Sequence, residues 1–126
     1  MQSETQNGIK LSKRKIGYEF EKIAIKYLLK NRYIILDKNI YTRFGEIDIL
    51  AKKGKDYYIF EVKGGRKKEE IFERFTNRKL ERLKRLSEYI SLKYNSESVF
   101  TDGILIVTME GTILVIHIKN ILQQGC

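Results

Sequence analysis

Four charged side chains flank one short glycine turn: Glu46 and Asp48 before it, Glu61 and Lys63 after it. Residues 45–63 read as two strands joined at Gly54-Lys55. Pairing across that turn sets Asp48 opposite Glu61 and Glu46 opposite Lys63. Opposed residues point to one face and alternate residues share it. The four charges therefore cluster on one face, while Ile47, Ile49, Ala51, Tyr58, Phe60 and Val62 make an apolar face that belongs to a core. Two carboxylates so placed have Cβ atoms roughly 5 Å apart; they repel and cost stability. An exposed sheet face with Lys63 pairing the acids would tolerate the pattern. A divalent cation accounts for it better, because its charge reverses the repulsion. Lys63 stands at the edge of such a site, where it can orient an attacking water or stabilise negative charge developing on a phosphate.

The elements that must hold this hairpin are legible around it. Residues 1–12 read as a flexible N-terminal tail, residues 13–122 as one domain and residues 123–126 as a C-terminal tail. Ile16, Phe20, Ile23, Ala24, Tyr27 and Leu28 recur at helical steps over about 13–30, with Asn31 a fitting end. Tyr33–Leu36 is strand-like, and Asp37–Asn39 predicts a turn or bulge in an extended stretch reaching Thr42. Residues 66–75 predict a mobile loop or weak helix. Thr76 or Asn77 can cap a second helix with the stripe Leu80, Leu83, Leu86 and Ile90, running to about Tyr94. Residues 103–109 and 112–118 are two more strands. The order is α-β-β-β-α-β-β, a mixed α/β layer structure.

Composition narrows the chemistry. Cys126 is the only cysteine and His117 the only histidine, so disulfides within the chain, cysteine zinc cages and multi-histidine sites are excluded. A metal here would be a hard ion held by carboxylates, Mg²⁺ or Mn²⁺. The N-terminus has no apolar signal segment and no run reaches membrane-span length, so a reducing cytoplasm is the default compartment. The net charge of +9 is concentrated in residues 10–15 and 64–86; the rest of the chain is neutral. Concentrated positive charge is the footprint of a polyanion binder. A membrane partner is disfavoured, because neither segment sets a clean apolar face against a basic one.

Asp48, then twelve residues, then Glu61-Val62-Lys63 resembles the PD-(D/E)XK nuclease signature. Gly45-Glu46-Ile47-Asp48-Ile49-Leu50 followed by Phe60-Glu61-Val62-Lys63 resembles, more closely, the YraN-like family of predicted endonucleases, relatives of archaeal Holliday junction resolvases. The likeness extends to Gly17-Tyr18-Glu19-Phe20-Glu21 with Ala24, to Lys79, Arg82, Leu83 and Tyr89, to Phe100-Thr101-Asp102 and to His117-Ile118-Lys119-Asn120. It covers about residues 13–122. Ile47 stands where the superfamily name has proline, and Phe20 where YraN-like sequences usually have glycine. The resemblance implies a restriction-endonuclease-like fold, a mixed β-sheet flanked by helices, and Mg²⁺-dependent cleavage of DNA, duplex or branched. It implies Asp48, Glu61 and Lys63 as catalytic residues, with Glu21 as a third acid. Asp48, Glu61 and Glu21 are then the metal ligands, with the Val62 carbonyl as a further candidate.

Other residues carry open readings. Glu21 by itself reads as a solvated helix residue, with Glu19 on the opposite border of the apolar face. Glu46 is either a fourth acid at the metal or the partner of Lys63. His117 reads as structural and not as a catalytic base. Gly64-Gly65 is either a flexible exit that admits a phosphate backbone or a simple turn. Arg66, Lys67, Lys68, Arg78, Lys79 and Arg82, with Lys13, Arg14 and Lys15, are the expected phosphate contacts, which position nucleic acid without reading its sequence. Tyr18, Tyr57 and Tyr58 are aromatic enough to stack on bases, with packing the simpler role. A domain this small covers little DNA, and a symmetric homodimer would present two sites to two strands. The rival readings are a non-catalytic nucleic-acid-binding module and an RNA-directed nuclease.

Overall fold

The structure, a computed structural model, describes the backbone of residues 13–123 and the side chains of residues 16–122. Helix α1 (Lys13–Lys30) leads into strands β1 (Ile34–Thr42), β2 (Gly45–Lys53) and β3 (Asp56–Gly65). Helices α2 (Lys68–Phe72) and α3 (Asn77–Tyr94) follow, then strands β4 (Val99–Met109) and β5 (Thr112–Ile118) and a 3₁₀ turn over Ile121–Gln123. The five strands form one mixed sheet in chain order, antiparallel throughout except for the central parallel pair β3–β4. A parallel pair needs a crossover, and α2 and α3 supply it.

Local sequence explains the helix ends. Thr76 Oγ1 accepts from the Lys79 N–H at 3.2 Å and caps α3. Both long helices stop on a left-handed residue, Arg32 and Asn95. In each case that residue's own N–H and the next one fold back, Arg32 to Leu29 and Tyr33 to Leu28, Asn95 to Leu92 and Ser96 to Ser91. This satisfies carbonyls that a helix end leaves open. Strand β4 begins at Val99, four residues ahead of the expected apolar run, because Phe100, Thr101 and Asp102 already pair with Tyr58, Ile59 and Phe60 of β3. Residues 68–72 form a short helix within the stretch expected to be loop or weak helix.

The core corrects the one-sided hairpin. Ile49, Ala51, Phe60 and Val62 pack with Ala24 and Leu28 of α1, together with Ile104 and Ile106 of β4. Leu50 and Ile59, on the face expected to be polar, are buried against Leu83, Leu86 and Ile90 of α3. A central strand between two helices must be apolar on both faces. Ile47 also joins the α3 side, so the alternation breaks between Ile47 and Ile49. Asp48 sits at that break.

Candidate active site

The register expected from the Gly54-Lys55 turn is observed next to the turn, but the pairing stops short of the expected pairs Asp48 with Glu61 and Glu46 with Lys63. The β2–β3 pairing runs from Lys53 against Asp56 to Ile49 against Phe60. Beyond it β3 continues beside β4 as far as Gly65 against Val107. The Asp48 carboxylate reaches into the notch where β2 and β3 part, and its Oδ2 accepts from the Val62 N–H at 2.9 Å. On its other flank β1 is kinked. The β1–β2 register shifts between Ile35 and Asp37, and Asn39 takes the left-handed conformation. Asn39 thereby turns its amide inward, donating to Glu21 Oε1 at 2.9 Å and Glu46 Oε2 at 3.2 Å. A bulge that re-aims a side chain at a site is the usual role of such kinks.

Glu61 lies on β3 with its side chain 3 % exposed. Three cations converge on its Oε2: Lys79 at 3.1 Å, Lys63 at 3.4 Å and Arg82 at 3.7 Å. Lys63 therefore pairs with Glu61, and Glu46 bonds Asn39. Glu19 points away, paired with Lys22 on the surface. A cleft of about 230 Å³ opens over this end of the sheet, lined by residues that include Glu21, Asn39, Glu46, Asp48 and Lys63. Among the described residues no three of Asp, Glu, His and Cys stand close enough to hold an ion by themselves. The expected trio of Asp48, Glu61 and Glu21 is thus not a preassembled cage. Glu21 and Asp48 line the cleft, and Glu61 sits beside it under its lysines.

The electrostatics are strained. Burial pushes the Asp48 carboxyl up to about 7, and the negative charges of Glu61 and Glu21 add to it against the Val62 hydrogen bond and Lys63. Glu21 is raised as well, mainly by burial and against the Asn39 bond. Lys79 is lowered, first by burial, with Glu61 opposing and Lys63 assisting. Two acids of one cleft, and a lysine beside Glu61, are thus displaced from their ordinary values.

The expected phosphate contacts divide. Lys79 and Arg82 are half-buried at Glu61, the Arg82 stem passing close to Gly45, whose φ of +131° favours glycine. Arg82 Nε is buried without a partner. Arg66, Lys67, Lys68 and Arg78 are exposed. Lys13, Arg14 and Lys15 begin α1, but their side chains lie outside the described residues. Arg78, Lys79, Arg82 and Arg85 line a second cavity of about 630 Å³ at the start of α3. Gly64 and Gly65 form neither a flexible exit nor a turn: both are in β3. A Cβ on Gly64 would meet the Phe20 ring at 2.3 Å, so helix packing requires this glycine. Tyr57 stacks on Tyr94 and Tyr58 on Phe60, which makes them packing residues. Tyr18 lines the cleft.

Two groups escaped the sequence reading. The turn or bulge expected at Asp37–Asn39 is present as a kink in β1, but the clamping of two acids by Asn39 was not expected. His117 is structural as expected, but it belongs to a buried chain. Asp102 Oδ2 accepts from its Nε2 at 2.7 Å, and its Nδ1 meets the Tyr27 hydroxyl at 2.8 Å. The Asn120 N–H donates to Asp102 Oδ1 at 2.8 Å.

A five-stranded mixed sheet flanked by helices, with an acid pair and a lysine where its central strands part, is consistent with a restriction-endonuclease-like fold. The sequence pattern of the uncharacterised protein family UPF0102 matches residues 20–108, and the chain belongs to that family. It is similar to a UPF0102 protein of Campylobacter hominis, 41% identical over 95 residues, covering 75% of this chain and 85% of the relative. A UPF0102 protein of Sulfurimonas denitrificans is 38% identical over 106 residues, covering 83% and 94%. One of Thermotoga petrophila is 33% identical over 93 residues, covering 74% and 86%.

Proposed function

We propose that this chain is an endonuclease of the PD-(D/E)XK type that hydrolyses DNA phosphodiester bonds with Mg²⁺ or Mn²⁺. The observation that carries the reading is Asp48, a carboxylate pushed up to about 7 in the notch between β2 and β3, with Glu61 and Lys63 beside it. The donor set fits a hard ion. Its groups are carboxylates, Asp48 is short of positive charge, and an ion with few protein ligands keeps waters and binds substrate oxygens, as Mg²⁺ prefers. Asp48 and Glu61 would hold it, with Glu21 and the Val62 carbonyl close at hand. When bound, the ion supplies Lewis-acid polarisation of the phosphate.

The chain's own residues do the rest. Lys63, at the cleft edge, orients the attacking water and balances charge that develops on the phosphate oxygens. The water oxygen bonds to phosphorus, the bond from phosphorus to one sugar oxygen breaks, and that oxygen takes up a proton. Asn39 keeps Glu21 and Glu46 apart and aimed at the cleft. Arg66, Lys67, Lys68 and Arg78 hold the flanking phosphates of a duplex or branched DNA, and a symmetric dimer would set two such sites on two strands.

One observation favours a second reading. Glu61 is already neutralised by three cations, as a static ion-pair cluster in a binding module would be. Labelled linear, flapped and four-way DNA, and a labelled RNA, incubated with and without EDTA, separate the readings. Metal-dependent DNA cleavage that falls roughly 100-fold or more in Glu61→Gln and Lys63→Ala is the expected result. Binding without cleavage of any DNA supports the binding module, and cleavage of RNA alone supports the RNA-directed reading.

A further inference from the structure

We propose that Lys79 is a displaceable internal cation: it neutralises Glu61 until a divalent ion takes that carboxylate, and it then swings into the basic cavity at the start of α3. The inference rests on the reading of Asp48 and Glu61 as an ion-binding pair. Three cations share one oxygen, Glu61 Oε2, and Lys79 is the nearest at 3.1 Å. Its side chain is only 18 % exposed, so little water screens that contact. A divalent ion on Glu61 adds positive charge beside an ammonium group and removes its counter-charge, and a buried cation without a partner is strongly disfavoured.

Of the three cations Lys79 is the nearest to Glu61 and the least exposed, so an ion on that carboxylate acts on it most strongly. The Arg82 stem lies close to Gly45, and its guanidinium is farther from Glu61 and more exposed. Lys63 lies on β3 at the cleft edge, two residues from Glu61. Lys79 stands in the first turn of α3 on a flexible stem, and it already lines the cavity shared with Arg78, Arg82 and Arg85. That cavity, of about 630 Å³, admits a phosphate group. Loading the acids thus frees the Lys79 charge from Glu61 for a polyanion at that cavity, so ion and nucleic acid favour each other's binding.

The test needs no catalysis. Mn²⁺ binding to the full-length protein is followed by electron paramagnetic resonance, and lysine accessibility by amine acylation and mass spectrometry with and without Mg²⁺. Lys79 is expected to be protected in EDTA and to become as reactive as the exposed Lys84 when Mg²⁺ saturates. Lys79→Met is expected to bind Mn²⁺ roughly tenfold more tightly, and Lys84→Met to bind it as the wild type does. Mn²⁺ binding with Lys79 still protected, or no tighter in Lys79→Met, overturns the inference and leaves the ion site standing. No Mn²⁺ binding to the wild-type protein overturns both.

Discussion

Asp48 is ionised at a cost. Its carboxyl is pushed up to about 7 from an ordinary 3.8, so the folded chain holds that proton more tightly than the unfolded chain does. Protonation therefore favours folding. The stability this group contributes is greatest below about pH 4, falls as the pH rises toward 7, and is flat above that. In urea unfolding in EDTA, wild type should lose roughly 1–3 kcal/mol relative to Asp48→Asn between pH 4.5 and 8. Asparagine retains an oxygen to accept from Val62, so the comparison isolates the charge. At pH 8 in the presence of Mg²⁺ the order should reverse, because an ion bound only to the folded wild type stabilises it by mass action. A wild-type profile parallel to that of Asp48→Asn would show that the site imposes no charge strain.

Helix α1 packs on the sheet through Ala24 and Leu28, and comes closest to it where the Phe20 ring lies on Gly64. The ring lies where any larger residue would put its Cβ, and the cleft that holds Glu21 depends on that close approach. Gly64→Ala should cost about 1–3 kcal/mol by overpacking, measured by thermal or urea unfolding, and Gly64→Ala with Phe20→Leu should recover much of it. An equal loss in the single and double variants would place the cost in β3 itself. The kink in β1 is the complementary device. An unbroken strand would carry Asn39 past Asp48 in regular pairing, whereas the left-handed residue sets its amide between two acids.

The fold is closed by polar groups as well as by its core. Tyr27 on α1, Asp102 on β4 and His117 on β5 form a buried chain across three elements. Asp102→Ala leaves the His117 ring nitrogen and the Asn120 N–H without acceptors and should cost about 2–5 kcal/mol, read by urea unfolding. A loss below that range would mean that water substitutes for the carboxylate. The basic surface makes a separate prediction. If Arg78 and Arg85 each neutralise a phosphate, the slope of log K for duplex DNA against log salt should shrink by about 0.9 for each residue replaced by alanine. Unchanged slopes would move the interface elsewhere.

The long helices and the hairpin register were legible in the chain because they rest on local rules. Apolar spacing marks α1 and α3, Gly54 marks the turn, and counting outward from it brings Asp48 and Glu61 to the same end of two strands. The exposed basic residues were legible for the same reason, since nothing buried competes for them. Three facts were not. Leu50 and Ile59 sit on a face that alternation marked polar, and burial there depends on α3 arriving from thirty residues away along the chain. Lys79 and Arg82 read as free phosphate contacts until helix packing carried them onto Glu61. Asn39 lies in the bulge that the sequence marked, but the two acids it bonds come from α1 and β2 and meet it only in the folded chain. Periodicity and turn chemistry act between neighbours in sequence, whereas charge pairing and burial depend on distance in space, which is decided only when the helices close over the sheet.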